Sequence, residues 1–563
     1  MIKDDVWNKR IRIATGLVVI LGLILGFRLF QKQVLEHGVY ATAAENQYMV
    51  KESLPSQRGQ IYASDMFPLA TNVQSYQVLA VPSQITNPDQ VAGELASILQ
   101  MSQADIFNLI NNNKNYLPPI KHGLTEEEGN KIAALKINGV TVLPEMGRVY
   151  PEGQLASQVL GFVNKDGDGQ YGLEGYYNDE LKGDSGLLSA EKDITGRLFS
   201  IGEEINPQNG SDLVLTIDHA IQYQAEQVLA EAIKKYQADS GSIVIMDPKT
   251  GAIYAMAGNP TYDPNNYNQV PSGEQNVFNN PVIANAWEPG SVFKPLIMAA
   301  AINEGKVTPD TTQTFSNMVK VNGYEIHTAT DHAYGKETMT NVLENSDNVG
   351  MVWVAQQLGK AAEAQYLTNF GFGRKTGIEL NTESTGIMAD VKKWSDVQAA
   401  TIAFGQGISV TPIQLVTAIA SIANGGHLMQ PYIVSEIHEA NGKVDKQSPE
   451  EVKTVLSAQT AQEVTQMMVS VVKDGQGKKA GVAGYNIAGK TGTAQIPDPS
   501  GGYYTDRQIG SFVGFAPAED PKFVMLVRLD QPKTVAWAED SAAPAFGEMA
   551  QWLLQYFGIA PSS

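Results

Sequence analysis

Between Ile13 and Phe27 the chain runs without a single charge, bracketed by Arg12 and Arg28. Arginine stems can lie along apolar surface while their heads reach an interface, so the usable stretch extends from Ile11 to Phe30. Twenty residues of helix match the roughly 30 Å of a bilayer core. Lys3, Lys9, Arg10 and Arg12 precede the stretch, whereas only Arg28 and Lys32 follow it closely. That bias predicts a cytoplasmic tail at 1–12, a transmembrane anchor at 13–30 and the remainder outside the cell. The small residues a leader peptidase would need come only at Ala41-Thr42-Ala43, too far downstream for a cleaved signal. No second run of this length follows, so a single-pass protein is expected.

After the anchor, residues 31–57 read as a juxtamembrane helix ending near Pro55. From Arg58 to about 212 the pattern mixes short strand-like runs (SYQVLAV, GVTVLP) with helices such as DQVAGELASILQ. Asp184 to Asn209, rich in glycine, serine and charge, reads as a boundary between a stem at 58–212 and a second domain at 213–563. The second domain opens with an amphipathic helix over Ala220 to Tyr236. Two apolar runs joined by Asp247-Pro-Lys-Thr-Gly251 then predict a hairpin. A largely helical middle leads to the strands SFVGFAP and KFVMLVRLD and a final helix over Ala543 to Phe557. Helices clustered between a hairpin and later strands predict an α+β fold, its antiparallel sheet flanked by helices.

Composition narrows the chemistry. With 563 residues, 43% hydrophobic and 18% charged, the chain can bury several cores and is not disordered. Its formal charge of −20 argues against nucleic acid as a partner. The absence of cysteine excludes disulfides, thiolate metal sites and cysteine nucleophiles. His37, His122, His219, His327, His332 and His427 show no ligand spacing, and neither a metal nor an organic cofactor is expected. His327 and His332 are read as a surface loop, with the flank of a cleft as the other position open to them.

The densest candidate chemistry is Glu288-Pro-Gly-Ser291-Val-Phe-Lys294-Pro295. Proline is tolerated in a first helical turn, so a helix should begin near Ser291, placing Ser291 and Lys294 on one face of its opening turn. The positive end of that helix disfavours a protonated lysine and favours a developing serine alkoxide. Burial and a second cation would push Lys294 further toward acting as a base. Ser-x-x-Lys recurs at Ser189–Lys192 and Ser470–Lys473, where a capped helix with a solvated lysine is the plainer reading. Two further motifs follow in order: Ser346-Asp347-Asn348 and Lys490-Thr491-Gly492-Thr493. Lys-Thr-Gly also occurs at Lys249, inside the hairpin turn, and at Lys375, in a loop. Both of those are read as structural.

Ser-x-x-Lys, Ser-x-Asn and Lys-Thr-Gly in this order resemble the signature of penicillin-recognising serine enzymes. The likeness covers residues 40–560. Arg58-Gly59, Arg148-Val-Tyr-Pro151 and Gly172-Leu-Glu174-Gly175 look like the stem of class B penicillin-binding proteins. Leu215-Thr-Ile-Asp218, Phe404-Gly-Gln-Gly407 and Ser511-Phe-Val-Gly514 look like their transpeptidase domain. EPGSVFKP, SDNVGM and KTGTAQ are most similar to the septal branch. Ala63-Ser64-Asp65-Met66 departs from the Asp-Arg-Asn-Gly-like turn common in the family.

The resemblance implies a peptidoglycan D,D-transpeptidase in which Ser291 forms an acyl-enzyme from a D-Ala-D-Ala stem peptide. It makes Lys294 the base, Ser346 a proton relay and Asn348 a holder of Lys294 and the substrate amide. Lys490 would depress the pKa of Lys294 and attract the substrate carboxylate, with Thr491, Gly492 and Thr493 in the binding strand. The oxyanion hole would be the backbone N–H groups of Ser291 and Thr493. β-Lactams would acylate the same serine, and a separate membrane glycan polymerase of the division machinery is the implied partner.

Three other functions were open to the residues. A β-lactamase or carboxypeptidase is disfavoured, because Glu379-Leu-Asn381 resembles a deacylation element whose required glutamate would fall at Gly377. A β-lactam sensor lacks its extra spans and its zinc motif, since His438-Glu439 has Gly442 in place of a second histidine. A side-wall rather than septal transpeptidase stays open on these residues alone.

Overall fold

The computed structural model describes residues 2–40, 49–112, 114, 117–192 and 198–561. They divide into two compact units, residues 1–57 with 183–209, and residues 58–182 with 210–563.

In the first unit a helix runs from Ile2 to Phe30 and opens into a wider turn at Gln31–Leu35. It is the one helix among the described residues long and apolar enough to cross a membrane, and its apolar surface is unburied. The expected helix over 31–57 is corrected downstream: Met49–Leu54 is a strand, while 41–48 lie outside the described residues. Met49–Leu54 pairs antiparallel with Gly186–Lys192, which pairs in turn with Leu198–Ile205. The glycine-rich stretch read as a boundary is therefore this hairpin's home. Its partner sits more than a hundred residues earlier, and apolar spacing within a window cannot register such a pairing. Ser189–Lys192 consequently lies on a strand, not on the capped helix expected there.

The second unit carries both the stem residues and the chemistry. Ile61–Tyr62 pairs antiparallel with Pro68–Ala80 and parallel with Asp212–Leu215, which pairs with Val434–His438. One sheet thus crosses position 212, so the polypeptide on either side forms a single compact unit. The stem motifs converge in this region. Arg58 Nε and Arg148 Nε donate to the two carboxylate oxygens of fully buried Glu174, at 2.6 and 2.7 Å. Tyr150 Oη adds a third donor at 3.2 Å. The turn at Ala63–Met66 is made despite its unusual sequence: Met66 N–H donates to Ala63 O, and Met66 takes the left-handed conformation at φ 66°.

The five-stranded antiparallel sheet runs in the order Ile253–Asn259, Ser240–Met246, Phe523–Asp530, Tyr503–Ala516, Ala488–Pro497. Alternate residues feed opposite cores, Ile243, Ile245, Met525 and Val527 on one face and Val244, Met246, Val524 and Leu526 on the other. Both faces are covered, which is why these strands read as continuous apolar runs. One cover is the helix His219–Tyr236, started by Asp218 accepting Ile221 N–H and ended by Gln237 in the left-handed region. It buries Ile221, Ala225, Val228, Leu229 and Ala232 against the sheet, beside the final helix Ala542–Tyr556. The helices Lys294–Asn303, Pro412–Ala423 and Ala458–Lys473 cover the other face. This is the expected α+β arrangement.

Candidate active site

Ser291 lies in a short 3₁₀ turn, Gly290–Phe293, that runs into the buried helix Lys294–Asn303 with Pro295 in its first turn. Gly290 N–H donates to Gly405 O at 3.0 Å. Glu288 fixes the same turn, its carboxylate accepting from Gly407 N–H at 2.9 Å and Tyr503 Oη at 2.8 Å.

The three motifs meet around one hydroxyl. Lys294 Nζ donates to Ser346 O at 2.6 Å, Asn348 Oδ1 at 2.8 Å and Ser346 Oγ at 3.2 Å. Lys490 Nζ reaches the same Ser346 Oγ at 3.0 Å from the neighbouring strand, with Thr491 O at 3.1 Å and Thr491 Oγ1 at 3.3 Å. Ser346 attains this position through a left-handed backbone at φ 55°, immediately before Asp347 caps the helix Asn348–Leu358. The cap and the chemistry therefore occupy adjacent residues of one turn. Asn348 Nδ2 is held by His327 O at 3.1 Å. Ser291 lines the chamber described below, and its Oγ makes no hydrogen bond among the described residues.

Both lysines are fully buried. Burial, then the Lys490 ammonium, push the proton off Lys294 well below the usual lysine range, while Asp347 and Glu337 oppose the shift. Burial also brings Lys490 down to about 7, against a partly offsetting attraction from Glu539.

Lys490, Thr491, Gly492 and Thr493 lie on Ala488–Pro497, the sheet's edge strand, paired among the described residues only with Tyr503–Ala516. Gly492 is required by crowding: a Cβ there would sit 2.8 Å from Ser511 Oγ and 2.9 Å from Val292. Thr493 Oγ1 accepts Ala538 N–H at 3.1 Å, which brings Trp537 and Glu539 to the cleft. A chamber of 140 Å³ is lined by Ser291, Ser346, Thr491, Thr493, Trp537 and Glu539. It adjoins a 620 Å³ cleft bordered by Asn348, His327, Gln495 and Trp537. A shallower 780 Å³ depression continues from Thr505, Gln508 and Ala536 and includes none of the motif residues.

All eight residues expected at the site are thus brought together. His327 flanks the cleft, the less favoured of its two readings, whereas the His332 backbone carbonyl accepts Thr328 Oγ1 within its own loop. The other motif copies are structural. Thr376 is engaged by Glu383, and Lys249 N–H by Asp247. Ser470–Lys473 ends a helix rather than starting one, with Ser470 Oγ donating to Glu344. Buried Glu379 accepts Ile433 N–H at 2.9 Å. Trp537, Glu539, Glu288 and Tyr503 were missed as site residues. Glu288 stands inside the quoted Ser291 phrase, whereas Trp537 and Glu539 carry no local signal.

Residues 241–551 match the penicillin binding protein transpeptidase domain, and residues 53–215 the penicillin-binding protein dimerisation domain. The chain belongs to the class B penicillin-binding proteins. It is 36% identical to stage V sporulation protein D of Bacillus subtilis over 98% of this chain and 86% of that protein. It is 30% identical to the peptidoglycan D,D-transpeptidase FtsI of Escherichia coli, over 97% of this chain and 91% of that one. Among solved structures, penicillin binding protein 3 of Mycobacterium tuberculosis in complex with aztreonam superposes with a TM-score of 0.72 at 28% identity. That match covers 91% of this chain and 98% of the other.

Proposed function

We propose that Ser291 is the acylated nucleophile of this enzyme, a peptidoglycan D,D-transpeptidase of the septal branch, and that Lys294 is its base. The observation that carries this reading is the convergence of Lys294 and Lys490 on Ser346 Oγ beside the Ser291 turn. Lys490, kept cationic in the complex by the substrate's own negative charge, holds the terminal carboxylate with Thr491 and Thr493. Ser291 Oγ attacks the carbonyl of the D-Ala-D-Ala bond and its proton passes to Lys294. The tetrahedral oxyanion is held by the backbone N–H groups of Ser291 and Thr493. Collapse breaks the C–N bond, the leaving nitrogen takes a proton through Ser346, and D-alanine departs. The amine of a second stem peptide then attacks the ester, restores Ser291 and leaves a cross-link. A β-lactam opens at the same carbonyl without releasing a separate product, so its acyl-enzyme persists.

The test is intact mass of the protein after benzylpenicillin, beside Ser291→Ala. A stable adduct of one drug mass, lost in the variant, is expected. Drug consumed without an adduct would replace transpeptidation by hydrolysis, and drug left untouched would overturn the acyl-enzyme scheme.

Ile2–Phe30 acts as a single membrane anchor with its N-terminus in the cytoplasm, and a membrane glycan polymerase is the partner that supplies nascent strands. The charge bias around the apolar stretch supports this orientation. Because the chain has no cysteine, one introduced at Asp5 or at exposed Tyr223 is a unique label. A membrane-impermeant maleimide should reach the second and not the first in intact cells.

A further inference from the structure

Behind Ser346 and Asn348 lie two acids that the acylation scheme leaves unused. Asp347 Oδ1 accepts Val349 N–H at 2.8 Å as the helix cap. Glu337, on the short strand Gly335–Thr338, accepts from Asn345 Nδ2 through Oε1 at 2.8 Å. Asp347 is 0% and Glu337 3% exposed. Their remaining oxygens, Asp347 Oδ2 and Glu337 Oε2, are buried and have no donor. The two carboxyls nonetheless lie within hydrogen-bonding reach of each other.

A buried acceptor without a donor is costly, and two adjacent charges in that setting repel. A single proton between the orphaned oxygens removes both penalties. We propose that Glu337 and Asp347 share one proton, as a positioning pair of charge −1 that holds the Ser346–Asn348 turn and sets the field at Lys294. The pair joins the strand before the helix Met339–Glu344 to the turn after it. Lys294 is the amine facing it, and Lys490 reaches the same turn at Ser346 Oγ. Glu344, on the intervening helix, is engaged by Asn341 and Ser470. Negative charge behind the turn favours the ammonium form of Lys294. Holding that charge at one rather than two keeps more of Lys294 as the free amine, the form that can take the Ser291 proton. Burial, helped by Asp347, pushes the Glu337 carboxyl up to about 7, so the second charge develops only above that pH.

The inference rests on Lys294 acting as the base, so its test includes a readout independent of acylation. The infrared difference between resting Ser291→Ala and Ser291→Ala/Glu337→Gln should show a protonated carboxyl stretch, the contribution of Glu363, common to both, cancelling. In the acylating enzyme, Glu337→Gln or Asp347→Asn replaces the shared proton by an amide N–H at unchanged charge. Each should keep acylation by benzylpenicillin near pH 6 within about threefold of the parent. At saturating drug, Glu337→Gln should also lose the inflection near pH 7 in the limiting acylation rate, while the separate Lys490 limb in drug affinity stays. The double variant sets two amides face to face, and should acylate at least tenfold more slowly than the product of the single effects predicts. Absence of the carboxyl band overturns the shared proton. So do single variants that each lose more than tenfold and combine additively, since these mark two independent counter-ions. Should the double variant fail to fold, the band and the single variants decide the matter.

Discussion

Among the described residues Ser346 Oγ is the one hydroxyl that both buried lysines touch, so its loss should disable them together. Ser346→Ala is expected to slow acylation by roughly 10²–10⁴-fold, the range for a lost proton-transfer group, with little change in melting temperature. Stopped-flow acylation by benzylpenicillin measures this. The pH profile carries a second prediction. On the proposed scheme Lys490 must be cationic to attract a carboxylate, and burial brings its pKa down to about 7 in the free enzyme. Drug affinity should therefore fall above about pH 7, approaching tenfold per unit at most. Lys490→Arg should move that limb to higher pH at some cost in fit, because a guanidinium keeps its proton. Motif order made these residues legible, since each motif brings its own local geometry: a helix start, a cap and a strand. Glu337, Trp537 and Glu539 were not legible. Glu337 precedes Asp347 by ten residues without shared periodicity, and Trp537 arrives through a contact of Ala538 with Thr493.

At the scale of elements, most helices could be read from their caps and apolar stripes, as His219–Tyr236 shows. The errors came where hydrogen bonds join distant segments. Met49–Leu54 is a strand because Gly186–Lys192 supplies its ladder, and Ser189–Lys192 lies on that ladder rather than on a helix. The tight turn at Ala63–Met66 could be read only as a departure, yet the backbone keeps the turn and puts methionine where φ is 66°. Met66→Gly relieves that strain but loosens the unfolded chain, and should raise stability by up to about 1 kcal/mol in chemical denaturation. Leu229→Ala, by contrast, opens a hole between the helix and the sheet. Its expected cost of about 3 kcal/mol should appear as a lower denaturation midpoint at unchanged slope.

For the whole molecule, a buried acid outside the cleft sets part of the pH response. Glu363 is 0% exposed, neither carboxylate oxygen has a partner, and burial alone pushes it up to about 8. An unfolded chain ionises this group near pH 4.3, whereas the folded one keeps the proton, so stability falls as pH rises between the two values. Glu363→Gln should remove that slope, gaining on the parent by at most about 1.4 kcal/mol per pH unit across the window and nothing below it. Thermal melts from pH 4 to 9 would show whether the two curves diverge as they rise through it.

The open side of Ala488–Pro497 has a consequence for substrate tolerance. An unpaired strand edge recognises the amide backbone of whatever lies along it and is indifferent to alternate side chains. Replacing side chains along a stem peptide should then change turnover modestly. A single N-methyl group on an amide facing the strand, invisible to any side-chain pocket, should cripple it.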